Sequence, residues 1–183
     1  MPALRRSPSG IRSLRGLNNR YLLLFVVSGF LIVLDQYTKF IVSLHMPLNY
    51  SMQVVEGFFN LTHIRNSGVA FGLFADQQSE YKALMFIAIS AIAIMAILVI
   101  FHQNPPDKKM VQVGLILIFS GAIGNLIDRV LHGEVIDFFD FFINGHHFPA
   151  FNVADSCITI GVTLMVIDLF FGKLHSESSS NTV

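Results

Sequence analysis

Residues 125–155 read NLIDRVLHGEVIDFFDFFINGHHFPAFNVAD. The stretch carries Asp128, Asp137, Asp140 and Asp155, yet it joins two strongly apolar runs whose ends it overlaps. Carboxylates are therefore expected where the chain enters a bilayer. An ionisable residue there is costly to place and marks a candidate functional site. Carboxylates that converge also offer acid–base chemistry, because like charges held close split their pKa values into one acid and one base.

The runs on either side read as membrane spans. Upstream, residues 110–131 form an apolar helix in which Gly114, Gly121 and Gly124 keep the surface small enough for close helix approach. Near its end Asn125, Asp128 and Arg129 fall at i, i+3 and i+4, on one helix face. Downstream, residues 152–171 start with the polar Asn152 and Asp155 in the first helical turn and then become apolar. Residues 83–101 are apolar except for Ser90 and end at Pro105-Pro106, and at 1.5 Å per residue they reach about one hydrocarbon thickness. A first span covers 21–44, with Asp35 and Lys39 four apart on one face near its end, placed to pair.

The expected fold is thus an α-helical integral membrane protein with four transmembrane helices and a small extracytoplasmic β-structured segment. That segment is placed at about 48–75, where FNLTHIRN at 59–66 is rich in β-formers and ends at the turn signal Asn66-Ser67-Gly68. The apolar residues 69–74 are read as a platform over the site. Residues 1–20, with five arginines, read as a basic cytoplasmic segment before a retained signal-anchor helix. Residues 21–172 form the membrane domain, and the Ser-rich residues 173–183 read as a disordered cytoplasmic tail.

Composition agrees with this class. Of 183 residues 53% are hydrophobic and 13% charged, with a mean hydropathy of +0.61. A soluble domain carries about twice that charged fraction. Twelve basic and twelve acidic residues balance, which gives no sign of nucleic-acid binding. The single cysteine, Cys157, excludes an intrachain disulfide and a zinc site built from several thiolates. Lys and Arg number eight on the side of the N-terminus, the 102–109 loop and the tail, against four on the other. The positive-inside rule then puts both termini in the cytoplasm and the carboxylates at the outer surface.

Few chemistries fit. No G-x-S-x-G or H-E-x-x-H occurs, and His132, Glu134, Asp137, His146 and His147 match no metal-ligand spacing, so neither metal nor cofactor is expected. A pair of aspartates sharing a proton remains: one activates water while the other polarises a carbonyl. The Asp-Thr/Ser-Gly sequence of soluble aspartic proteases is missing, as is the Gly-x-Gly-Asp of presenilin-like enzymes.

Five motifs in order, DQYTK (35–39), NSGVAFG (66–72), GNLIDR (124–129), VIDF (135–138) and FNVAD (151–155), resemble the bacterial lipoprotein signal peptidases, or signal peptidase II. The resemblance covers about 21–171. It implies an aspartic endopeptidase of the inner membrane that cuts the signal peptide from diacylglyceryl-modified prolipoproteins, just before the lipidated cysteine. Its partners are that substrate and membrane lipids, with the protein a monomer. By motif the catalytic dyad falls on Asp137 and Asp155, and Asn66, Gly68, Asn125, Asp128, Arg129 and Asn152 support it or the substrate. Asp35 and Lys39 match a structural pair.

The residues themselves support the same roles. A helix first turn favours ionised Asp155, suited to a base, while Ile136 and Phe138 desolvate Asp137. Spacing alone leaves Asp140 in competition with Asp137, and Asp168 lies on the wrong side. The alternative is a small transporter or channel subunit with these carboxylates lining a cation path. Transporters bind at the bilayer midplane between internal repeats, whereas here the carboxylates cluster at one surface and no repeat is found. A non-catalytic membrane adaptor would not need so many buried-type carboxylates.

Overall fold

A computed structural model describes residues 8–68 and 79–180, with side chains from 19 to 68 and from 82 to 171. Among these residues four helices are long and apolar enough to cross a membrane, over Asn19–His45, Lys82–Gln103, Lys109–His132 and Val153–Phe171. They belong to α1 (Pro8–His45), α2 (Ser79–Gln103), α3 (Lys109–His132) and α4 (Val153–Ser180). Each covers the expected span to within a few residues.

At the flanks the structure departs from expectation. The backbone of 8–20 continues α1 and that of 173–180 continues α4, where a separate leader and a disordered tail were expected. A helix already nucleated by a long apolar span extends at one hydrogen bond per residue, without a new nucleation cost. Arg20, the last of the leader arginines, is buried inside the fold. Its guanidinium donates to the carbonyls of Phe101, His102 and Asn104 at the end of α2. A cation there satisfies carbonyls left without helical partners and complements the helix dipole.

Helix α3 packs along α1, α2 and α4. Its buried Leu115 and Ile116 meet Leu24 of α1 and Ile97 and Phe101 of α2 in one apolar cluster. Against α4 the approach is closer. A Cβ on Gly121 would lie 2.2 Å from the Ala154 carbonyl oxygen, and one on Gly114 would lie 2.8 Å from the Gly161 carbonyl oxygen. Toward α1, one on Gly124 would lie 2.6 Å from Asp35 Oδ2. The outward faces carry large apolar side chains such as Phe25, Phe30, Ile92 and Phe170, a surface that suits lipid rather than water.

The expected β-structure is present and larger. Strands β1 (Ser51–Val55) and β2 (Phe59–Asn66) form a hairpin; β2 coincides with the FNLTHIRN stretch. Two further strands, β3 (Val135–Ile143) and β4 (His146–His147), come from the α3–α4 connection and complete an antiparallel sheet in the order β1-β2-β3-β4. The sheet caps the end of the bundle where α1 and α3 finish and α4 begins, with Phe138 buried against Val42 of α1 and Met46 just after it. Residues 69–74, read as a platform, lie outside the described residues.

Candidate active site

Two junctions deliver two aspartates to one place. At the first, the chain enters α4 through Asn152, whose Oδ1 accepts the N–H of Asp155 at 2.9 Å. In return Asp155 Oδ2 accepts the N–H of Asn152 at 3.4 Å. This reciprocal pair is a capping box, satisfying two N–H groups that the helix leaves without partners. It fixes Asp155 in the first turn of α4, as the sequence implies. At the second junction β3 carries Asp137 and runs beside the chain leading into α4. Phe139 donates to the Phe151 carbonyl at 2.8 Å, and Phe151 donates back to that of Phe139 at 3.1 Å.

Asn152 spans the gap between them. Its Nδ2 donates to Asp137 Oδ1 at 2.7 Å while its Oδ1 holds the helix turn bearing Asp155. The residue is fully buried, at 0% exposure. The second Asp137 oxygen accepts from Asn66 Nδ2 at 2.9 Å, and Asn66 Oδ1 accepts the Gly68 N–H at 2.8 Å. Gly68 has φ +81°, a conformation that a side chain would strain, so the turn that aims Asn66 at Asp137 favours glycine. Asp155 Oδ1 accepts from Asn125 Nδ2 at 2.7 Å.

Burial pushes the Asp137 carboxyl up to about 6 from an ordinary 3.8. The Asn66 hydrogen bond opposes that rise, the Asp155 charge adds to it, and Asn152 and Lys39 pull it back. A carboxyl that holds its proton up to about pH 6, beside a second carboxylate, is the pairing that general acid–base catalysis needs.

Behind the two aspartates lies an ion network. Lys39 Nζ is 2.8 Å from both Asp35 Oδ2 and Asp128 Oδ2. Asp35 also accepts the Ala154 N–H at 2.8 Å, and Asp128 accepts the Ile136 N–H at 3.2 Å. The network is thereby tied to the residues preceding Asp155 and Asp137. Arg129, half-buried, donates to the Asn125 carbonyl at 3.3 Å and lies over the Phe86 ring at 5.5 Å.

All ten site residues inferred from sequence lie in or around this network. The sequence-based reading missed Gln36, whose Nε2 lies 2.9 Å from Asp128 Oδ1 and 3.1 Å from the Gly124 carbonyl. It stands within DQYTK, but its partners are about ninety residues away. Asp140, the competitor on spacing, is separated by strand parity. Three residues from Asp137, it bonds Asn60 Nδ2 at 2.9 Å and His147 Nδ1 at 2.8 Å instead. Asp168 is at the opposite end of the bundle, 3.9 Å from Lys108. Among the described residues no group of three His, Cys, Asp or Glu side chains converges to hold a metal ion.

The family described as "Signal peptidase (SPase) II" matches residues 27–171. A lipoprotein signal peptidase of Desulforapulum autotrophicum is 45% identical over 159 residues, covering 86% of this chain and 98% of that protein. One of Geobacter sulfurreducens is 47% identical over 144 residues, covering 79% and 88%. A bacterial membrane enzyme solved by the in meso method at 2.3 Å resolution superposes with a TM-score of 0.72 at 37% identity, covering 88% of this chain and 92% of that one.

Proposed function

Because the chain belongs to the signal peptidase II family, we propose that Asp137 and Asp155 are its catalytic residues. The protein is a multi-pass membrane aspartic endopeptidase that removes signal peptides from prolipoproteins. The bond cut is the one before the diacylglyceryl-modified cysteine.

In the proposed reaction ionised Asp155 takes a proton from water as the water oxygen bonds to the scissile carbonyl carbon. Protonated Asp137 gives its proton to the carbonyl oxygen. The resulting diol collapses as the C–N bond breaks. The departing nitrogen takes the proton from Asp155, and a hydroxyl returns one to Asp137. Asn66 and Asn152 hold the acid, Asn125 and Asn152 hold the base, and Gly68 shapes the turn that presents Asn66. Asp128 and Arg129 steady the floor of the site, and Asp35 with Lys39 braces the helix junction.

The single observation carrying this reading is the contact of Asn152 with both aspartates, at 2.7 Å to Asp137 and through the capping box to Asp155. The peptidase unit is taken as residues 21–172, monomeric and surrounded by lipid in the inner membrane. Both termini are cytoplasmic and the site is at the outer face.

The test is cleavage of a lipidated prolipoprotein by four purified variants at matched folded concentration. Asp137→Asn and Asp155→Asn should each lose at least about a hundredfold in turnover, while Asp140→Asn and Asp168→Asn keep most of it. Substantial turnover by either of the first two would sink the two-aspartate mechanism.

A further inference from the structure

Lys39 does more geometrically than its ion pairs require. It is 2% exposed, and Asp35 and Asp128 each take one of its three N–H bonds. The third goes to Asn125 Oδ1 at 3.1 Å. An ammonium has protons to donate and no acceptor, so the group facing it must offer an oxygen. An asparagine has one oxygen and one NH2, so fixing the first also fixes the second. With Oδ1 turned to Lys39, Asn125 directs Nδ2 to Asp155 Oδ1 at 2.7 Å. Asn152 Nδ2, 3.3 Å from the same Oδ1, enforces the same orientation. The flipped amide would set NH2 against the ammonium and an oxygen against the Asp155 carboxylate, losing both bonds at once.

We propose that Lys39 is a positioning residue for peptide hydrolysis: through the orientation of the Asn125 amide it holds an N–H donor on Asp155. The inference rests on Asp155 being catalytic. It separates two roles of one lysine. Neutralising Asp35 and Asp128 maintains the fold, whereas the third N–H acts on turnover and only by way of Asn125. A purely structural lysine changes the amount of folded protein, not the turnover of each folded molecule. A lysine acting through Asn125 lowers kcat, and that effect disappears once the amide is gone.

The experiment is a double-mutant cycle on the full chain in detergent micelles, with a synthetic diacylglyceryl-cysteine prolipoprotein peptide as substrate. Lys39→Met, Asn125→Ala and their combination are compared at matched folded concentration, with Asp155→Asn as control. Lys39→Met should lower kcat about tenfold or more with KM little changed. In the Asn125→Ala background the same change should alter kcat by no more than about twofold. A Lys39→Met enzyme with unchanged kcat, or losses that multiply in the combined variant, overturns the proposal. If Lys39→Met does not fold, Asp35→Asn/Lys39→Met removes one carboxylate with the ammonium and keeps an oxygen for the Ala154 N–H; the cycle is then run in that form. Failure of that variant to fold as well makes Lys39 purely structural and also overturns the proposal. Turnover by Asp155→Asn would instead refute the underlying two-aspartate reading, whereas an inactive Asp155→Asn beside a fully active Lys39→Met removes only the positioning role.

Discussion

Asp137 carries its burial as a measurable dependence on pH. Its carboxyl is raised from 3.8 to about 6, the reverse of a salt-bridged aspartate. Between pH about 4 and 6 the folded protein holds a proton that the unfolded chain has released, so stability falls as pH rises through that window. Above it the ionised, buried group costs about 3 kcal/mol. Thermal unfolding in detergent should therefore show the wild type losing stability from pH 4 to 6.5, with Asp137→Asn losing much less. Parallel curves for the two proteins would show that Asp137 titrates as an ordinary carboxyl. At this scale the sequence was informative about chemistry and poor on partners. Asp155 in a first helical turn, and Asp35 four residues from Lys39, follow from helix periodicity alone. The link from Lys39 to Asp128 does not, because it joins α1 to α3 across 89 positions and no local spacing encodes it. Spacing likewise left Asp137 and Asp140 in competition; the VIDF motif favoured Asp137, and strand parity gives the two residues different partners.

Between elements, the contact that matters most is the one α3 makes with the start of α4. A Cβ added at Gly121 would meet the Ala154 carbonyl oxygen at 2.2 Å, a backbone atom that moves only if the first turn of α4 moves. Ala154 donates its N–H to Asp35 and immediately precedes Asp155, so that displacement reaches the site. Gly121→Ala should therefore destabilise by about 2 kcal/mol and lower turnover per folded molecule. Gly29→Ala should do neither, since nothing lies within 4 Å of the added methyl. An unfolding midpoint and turnover in Gly121→Ala equal to the wild type would mean that the helices part without consequence. The small residues of α3 announced a close helix neighbour in the sequence, though not which one. Strand β2 was legible because FNLTHIRN is bounded by a turn signal. Strand β3 was not, since VIDFFDFFI sits in a short connection and its partner β2 lies some seventy residues earlier. Only that pairing turns the connection into the strand that carries Asp137.

Across the whole molecule the arrangement suits the proposed reaction, which brings water to a substrate anchored in lipid. The aspartates lie at the end of the bundle under the sheet, while α1 to α4 offer apolar faces below it. The side that end is proposed to face is argued from charge. Arg20, Lys108 and Lys109 mark the opposite end, and the basic residues divide eight to four in its favour. Since positively charged segments stay in the cytoplasm, the sheet and its aspartates should face outward. Ser51 in β1 and Gln103 at the end of α2 are exposed at the two ends, and Cys157, the sole cysteine, is buried. In a Cys157→Ser background, an impermeant thiol reagent added to cells with an intact inner membrane should label Ser51→Cys and leave Gln103→Cys unlabelled until the membrane is opened. The reverse pattern would invert the protein and place peptide cleavage on the cytoplasmic side, contrary to the orientation proposed from charge. Labelling of both before the membrane is opened would show that the two ends are not separated by a bilayer, and the four-span reading would fall with it.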